Sequence, residues 1–454
     1  VRRSVQLHRE LAALADIDAW WWVLAGGTAA LEQLPPRTNY VLHDAEPASD
    51  TFIGHRTTVP EDPIRDAIAR AHAARAAVRD LDGELPDQPL ARTVRRGPDG
   101  AQLVPCDLDV AAFALGDRVL TARLATDVGD EAPLARALTA LLDRAPAKRE
   151  RGMPFACISI GDEPLATAQH GHRRAWRTDG GPWLGLSRAG ELATTSTCHL
   201  VLDGYGHAWL AAKIAEHHAR LVGCAPSALP RHVPPLPPVA GAVRLGVAWR
   251  ELPSPAPRAL SLAYALGCVL HRHAGDSAAR FSPTFQIPIA PGRIDDPLRR
   301  RQRVAFATLS VRFADNQPEP YDAFEQRART TLAAEALGHG PIARLVAATR
   351  AAPVPAAWKR GSIGAGRPRA LDRIAEVIGG RACLSRIFVE TPTPVSCAVS
   401  MPARLATPDD PAGSCVITLV DDGARAAITL SGSGTTGTPA GATAWLDELL
   451  ARVR

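Results

Sequence analysis

The chain has no run of 18 uncharged apolar residues, the length at which a segment reads as a membrane-spanning helix. Its longest candidate, AWWWVLAGGTAAL from Ala19 to Leu31, is too short, carries two glycines and reads as core. The start, VRRSVQLHRELAALADID, shows no apolar block followed by a small-residue cleavage site. A cytoplasmic protein without a secretory signal or membrane span is therefore expected. The eight cysteines, at 106, 157, 198, 224, 268, 383, 397 and 415, never fall in close pairs, which argues against zinc and against a disulfide framework and predicts reduced, mostly buried thiols. The formal charge is only +5. The sequence pI near 8.9 reflects arginine content, and nothing requires nucleic acid.

Further absences narrow the chemistry. Neither a Gly-x-Ser-x-Gly elbow nor a phosphate-binding P-loop is present, which removes the common serine-hydrolase and nucleotide readings. Three histidine pairs, His170 with His172, His217 with His218 and His271 with His273, have no third ligand at a useful spacing. No metal is expected, and the histidines read as surface residues. Gly432, Gly434 and Gly437 spell Gly-x-Gly-x-x-Gly after a strand, but no βαβ unit follows, so a dinucleotide site is not expected. There is no short-period repeat, although both halves share a mixed α/β rhythm.

What is present suits a large globular protein. Hydrophobic residues make up 46% and charged residues 22%, a globular balance. The 454 residues exceed the roughly 250–300 that one core organises, so two domains are expected. Hydrophobic periodicity predicts helices over Ser4–Leu14, Pro60–Leu81, Pro133–Leu142, Gly206–Val222, Arg258–His273, Tyr321–Leu337 and Ala442–Val453, and the block with Trp20, Trp21 and Trp22 reads as core. Strands are expected at Arg118–Ala125, Phe155–Ile160, Thr284–Ile289, Val304–Phe313, Val416–Val420 and Ala426–Leu430. Nine prolines between Ala225 and Pro257 stiffen the chain and break ladders. They predict a junction over 225–257 between a first lobe, 1–224, and a second, 258–454.

The stretch that most resembles chemistry is TTSTCHLVLDG, Thr194 to Gly204. Thr194, Thr195, Thr197 and Val201 favour extended backbone because β-branched side chains fit a pleated surface. A strand through His199 sends Cys198 and Leu200 to the opposite face. Cys198 and His199 therefore do not form a thiol–imidazole pair, although they are neighbours. Read without a family, His199, Asp203 and Gly204 are equally an ordinary histidine and two turn residues.

His199, Asp203 and Gly204 match the His-x-x-x-Asp-Gly signature, and in this the chain resembles the CoA-dependent acyltransferase superfamily. That group includes chloramphenicol acetyltransferase, the acyltransferase cores of keto-acid dehydrogenase complexes and the condensation domains of nonribosomal peptide synthetases. Ile289 to Arg293 (IAPGR), followed by Val304 to Arg312 (VAFATLSVR), is similar to the condensation-domain segment in which Ser-Gly-Arg precedes a strand ending in arginine. The resemblance implies an α/β fold of two chloramphenicol-acetyltransferase-like lobes, a monomeric pseudodimer with a channel between them. It departs from condensation domains at Cys198, where many have a second histidine, and after Ile387, where no Asp-Phe-Gly-Trp-Gly element is visible. The motif also falls later than usual. No lipoyl-type or carrier-protein attachment segment is evident, which implies a freestanding enzyme.

The resemblance also implies roles. His199 is the general base, its imidazole titrating near working pH. Asp203 holds the motif loop with Arg293 as partner, and Gly204 permits close approach. Ser396 or Ser400, in VSCAVS, would offer a hydroxyl to the developing oxyanion. The donor is an acyl-CoA or a phosphopantetheinyl acyl carrier protein, the acceptor a small amine or alcohol, and no cofactor is permanently bound. Arg299, Arg300, Arg301 and Arg303 read as a solvated loop, or else as a contact for a CoA phosphate or an acidic carrier protein. Two other readings stay open: a catalytically silent protein that binds a carrier or thioester, and an oligomeric core of the keto-acid dehydrogenase type.

Overall fold

The computed structural model describes residues 50–84, 92–97, 100–116, 118–143, 153–162, 181–198, 204–226, 228, 233, 246–253, 255–274, 283–289, 305–337, 339–340, 382–388, 397–400, 415–421 and 425–453. The expected helix at Ser4–Leu14 and the tryptophan block lie outside these residues. So do Arg299, Arg300, Arg301 and Arg303, and His170 and His172.

The first half runs β1 (Asp50–Arg56), α1 (Pro63–Glu84), β2 (Arg92–Gly97), β3 (Gly100–Pro105), β4 (Asp107–Leu115), β5 (Arg118–Arg123), α2 (Ala132–Leu142), β6 (Pro154–Asp162), β7 (Gly181–Pro182), β8 (Leu184–Ala189), β9 (Leu192–Cys198) and α3 (Gly204–Leu221). The second runs β10 (Gly246–Leu252), α4 (Ala259–Ala274), β11 (Thr284–Ile289), β12 (Ala305–Ser310), β13 (Phe313–Ala314), β14 (Gln317–Pro318), α5 (Tyr321–Ala336), β15 (Ala382–Phe388), β16 (Cys397–Ser400), β17 (Cys415–Asp421), β18 (Ala426–Gly432) and α6 (Pro439–Ala451).

The local causes are ordinary. Asp62 caps α1, accepting the backbone N–H groups of Ile64 and Arg65 at 3.0 Å, and Pro63 takes the first helical position, where no N–H is needed. Ala67, Ala71, Ala74 and Ala77 are fully buried, so α1 lies close against its sheet and its neighbours. Asp315 and Asn316, at φ of 49° and 63°, make the tight turn between β13 and β14 that favours such residues.

Two sheets organise the chain. The first has seven strands in the order β16-β1-β9-β8-β6-β4-β5, and the second six in the order β10-β18-β17-β15-β11-β12. Their pairing repeats. From β1 to β5 the neighbours run antiparallel, antiparallel, parallel, parallel, antiparallel. From β10 to β12 they run in the same sequence. The helices repeat too: α1 and α4 follow the opening strands, α2 and α5 follow the outer hairpins, and α3 and α6 follow the last strands. One architecture is thus built twice in a single chain, and the expected two-lobed α/β pseudodimer is what the backbone shows.

Each lobe has its own core. Phe113, Phe155, Trp183 and Leu138 anchor the first and Phe285, Phe324, Leu446 and Ile417 the second, each worth roughly 1.5–3 kcal/mol of burial. A small third cluster joins them. Ile53 of β1 and Ala208 and Ala211 of α3 meet Ile387, Ala398 and Val420 of the second half. Leucine in place of Ala211 would overfill that seam. It is expected to destabilise the protein by about 1–3 kcal/mol, read as a lowered urea midpoint at unchanged slope.

Two boundaries differ from the sequence reading. The second lobe opens at Gly246, inside the stretch 225–257, rather than with a helix at Arg258. The prolines sit at 226–238 and 253–257, leaving a proline-free segment that pairs with β18 at all positions from Gly246 to Leu252. Residues 258–454 also do not form the second lobe alone. β16 leaves it and pairs with β1 from Thr51↔Ser400 to Gly54↔Cys397, while still lying against β17 and β18.

Candidate functional site

The motif sits where the first lobe turns from strand to helix. β9 ends at Cys198 and α3 begins at Gly204; His199 and Asp203 fall between them, outside the described residues. Their surroundings are described. Asp50 pairs with Cys198 and Thr51 with Thr197, while Thr51 also pairs with Ser400. The end of β9, the start of β1 and the end of β16 therefore come level at one edge of the sheet. At about 4.8 Å per strand, Ser400 stands roughly 10 Å across from Thr197.

Of the two serines considered for the oxyanion, Ser400 lies at the motif end of β16; Ser396 lies outside the described residues. Arg293 also lies outside them, so its pairing with Asp203 stays an expectation.

The helix after the motif reaches the seam at once. Gly204 to Ala208 is about 6 Å along an α-helix, and Ala208 already packs in the cluster shared by both halves. A side chain the sequence reading missed fixes this corner. His207 is fully buried and its Nε2 donates to the Thr195 carbonyl at 2.7 Å, tying the first turn of α3 to β9. A histidine eight residues past His199, on the buried side of the predicted helix, was the available signal.

The duplicated architecture supplies an internal control. The counterpart of the motif loop in the second lobe lies between β18 and α6, where the chain reads Ser433-Gly-Thr-Thr-Gly-Thr438. It contains neither histidine nor aspartate. Gly434 has φ of 68°, a Cβ at Gly432 would run into Thr436, and Thr436 Oγ1 donates to the Ser433 carbonyl at 3.0 Å. The Gly-x-Gly-x-x-Gly pattern is this tight turn, and one lobe alone carries chemistry-bearing residues at the equivalent place.

One expectation about side chains changes. His217 and His218 are not free surface histidines. His217 meets Asp80 at 2.8 Å and His218 meets Asp66 at 3.0 Å, pinning α3 to α1. His271 stacks on Phe313 with ring centres 3.6 Å apart, and His273 pairs with Glu448 at 3.1 Å. Among the described residues no group of three or more His, Cys, Asp or Glu side chains could hold a metal ion.

Cys106, Cys224, Cys383 and Cys415 are free thiols. Burial pushes the thiols of Cys106, Cys383 and Cys415 up to about 12, which suppresses the thiolate. Brief iodoacetamide treatment is expected to alkylate the exposed Cys224 first and to spare those three, as peptide mass mapping would show.

No family model and no curated protein matches the chain. Its backbone is similar to solved condensation domains. One is a mutant starter condensation domain of rhizomide synthetase RzmA in complex with C8-CoA, at 12% identity and TM-score 0.41, covering 91% of this chain and 94% of that one. Another is the first condensation domain of the calcium-dependent antibiotic synthetase with a substrate analogue, at 14% identity and TM-score 0.40, covering 89% and 90%. Polyketide synthase associated protein 5 from Mycobacterium tuberculosis is similar at 12% identity and TM-score 0.41, covering 93% and 98%. Such overlaps place no side chain of one protein on another, so roles are taken from this chain's own residues. Among the described residues, no helix is long and apolar enough to cross a membrane.

Proposed function

We propose that the protein is an acyltransferase of the His-x-x-x-Asp-Gly type, working at the seam between its two lobes. The carrying observation is that the motif stands only in the first lobe, at the start of a helix whose next turn packs against both halves.

In this reading His199 takes the proton of an amine or hydroxyl as that group attacks the thioester carbonyl carbon. The tetrahedral intermediate then collapses, the carbon–sulfur bond breaks, and the proton passes to the departing sulfur as free thiol. Asp203 with Arg293 keeps the loop in shape, and Ser400, level with the motif end of β9, is the favoured hydroxyl for the oxyanion. The donor is an acyl-CoA or an acyl carrier protein, bound in a channel between lobes that join in the stretch 225–257, and no permanent cofactor takes part. Specialised metabolism, in a cytoplasmic setting, is the natural context for such an enzyme.

The test is thiol release from acyl-CoAs of increasing chain length, each with a mixed set of amines and alcohols. Acceptor-dependent release supports the reading. Acyl-CoA binding by calorimetry without release from any pair would instead support the silent thioester-binding protein, the reading that Cys198 in the second-histidine position favours. Light scattering addresses the oligomeric alternative: a mass near 48.1 kDa is expected, since both lobes are already present in one chain.

A further inference from the structure

A second site lies far from the motif. His218 is 14 residues along α3 from Gly204, about 21 Å at 1.5 Å per residue. At that end a cavity of about 510 Å³ is lined by Val59, Pro60, Glu61, Pro63, Asp66, Arg70, Gly161, Asp162, Arg188 and Val233. The volume falls in the range of small-molecule sites.

Its floor is charged and buried. Asp66 takes Arg70 Nε at 2.8 Å on one oxygen, and His218 Nε2 at 3.0 Å and Arg188 Nη2 at 3.5 Å on the other. Arg70 also donates to the Ser159 carbonyl at 2.9 Å, and Arg188 to Thr57 Oγ1 at 2.9 Å. Arg70 Nη1 and Arg188 Nε are buried without a hydrogen-bond partner among the described residues. The two guanidinium groups share Asp66, with Asp162 also acting on Arg188, and leave donors to spare.

The fold does not need these ions. In the second lobe the matching elements, α4 and β17, contribute Leu262, Leu266 and Leu419 to an apolar core. Among the described residues that lobe buries one charged side chain, Glu335, whereas the first buries Asp62, Asp66, Arg70, Arg75, Glu131 and Arg188. Apolar side chains usually replace buried ions without loss of stability.

The rim is acidic. Glu61 is exposed and Asp162 half-buried at the mouth, with Val59, Pro60, Pro63 and Val233 supplying apolar wall.

We infer that this cavity binds a small zwitterion with an apolar body, the chemistry of a free aliphatic α-amino acid. Its carboxylate would sit on Arg70 and Arg188, its ammonium face Glu61 and Asp162, and its side chain lie on the apolar wall. The inference is independent of the motif's role.

Calorimetric titration of the full chain with L-leucine, 4-methylpentanoate and 3-methylbutylamine tests it. Leucine is expected to bind, with removal of either head group weakening binding by at least about tenfold. Arg70→Met should abolish leucine binding. Should that variant not fold, Glu61→Gln with Asp162→Asn decides, because neither group is fully buried: leucine should weaken by about tenfold while 4-methylpentanoate should not weaken. His199→Ala should bind leucine like the wild type. No heat or thermal shift with leucine at roughly 10 mM, equal binding of 4-methylpentanoate, or undiminished leucine binding by the mouth variant would overturn the inference.

Discussion

Replacing His199 by alanine is expected to lower acyl transfer by about 10²–10⁴-fold, the usual contribution of a positioned general base, with KM little changed. The physical reason is that the imidazole acts as the proton leaves the acceptor, after both substrates are bound. The pH profile carries an independent signature. Wild-type kcat/KM should fall on the acid side as the free enzyme's imidazole takes up its proton. The residual rate of the variant should lack that acid limb. An unfolding midpoint measured alongside separates loss of the base from loss of the fold, and a variant that keeps both rate and limb would remove His199 from the mechanism.

Asp66→Asn should be among the most destabilising single substitutions in the first lobe. It leaves the buried guanidinium groups of Arg70 and Arg188, 6% and 5% exposed, without their shared counter-charge, at a cost of about 3–5 kcal/mol. Burial alone would push the Asp66 carboxyl up, but Arg70, the hydrogen bond from His218 and the charge of Arg188 hold it well below the usual carboxylate range.

The sign follows from that depression. The folded state holds the ionised form more tightly than the unfolded chain, so the stabilisation is complete above the unfolded value near 4 and disappears as pH falls toward the folded value. The stability gap between wild type and Asp66→Asn should therefore be constant through neutral pH and narrow on acidification below about pH 4. A triple variant, Asp66→Leu with Arg70→Met and Arg188→Leu, should recover most of the loss, because it copies the apolar corner that the second lobe builds around Leu262, Leu266 and Leu419. Urea titrations across pH measure all three. A gap that widens in acid, or a triple variant less stable than Asp66→Asn, would contradict the account.

The sequence was legible where one signal dominated. Strong hydrophobic periodicity located α2, α4 and α5 to within a residue or two, and β11, Thr284–Ile289, coincides with its expected range. Other strands were harder. β4, DLDVAAFAL, is alanine-rich and buried over most of its length, so it lacks the alternation that marks a half-exposed strand. β10 was hidden by flanking prolines, although the ladder itself needs only the proline-free residues between them.

The duplication was invisible as a repeat because it resides in strand order and pairing, which very different side chains satisfy: an ionic corner in one lobe, a leucine corner in the other. The motif was found from three residues and its local pattern. That β16 returns from the second half to set Ser400 level with it depends on a long-range pairing no local window contains. The Asp66 cluster was out of reach for the same reason, since its members come from α1, β8 and α3.

The most direct test of the central claim follows a labelled acyl group from thioester to acceptor by mass spectrometry, counting product against released CoA with and without the acceptor. Transfer at the lobe seam predicts one labelled amide or ester for each CoA set free, and little release when no acceptor is present. Release at the same rate without acceptor, or a thioester left intact by every donor and acceptor pair, would contradict it.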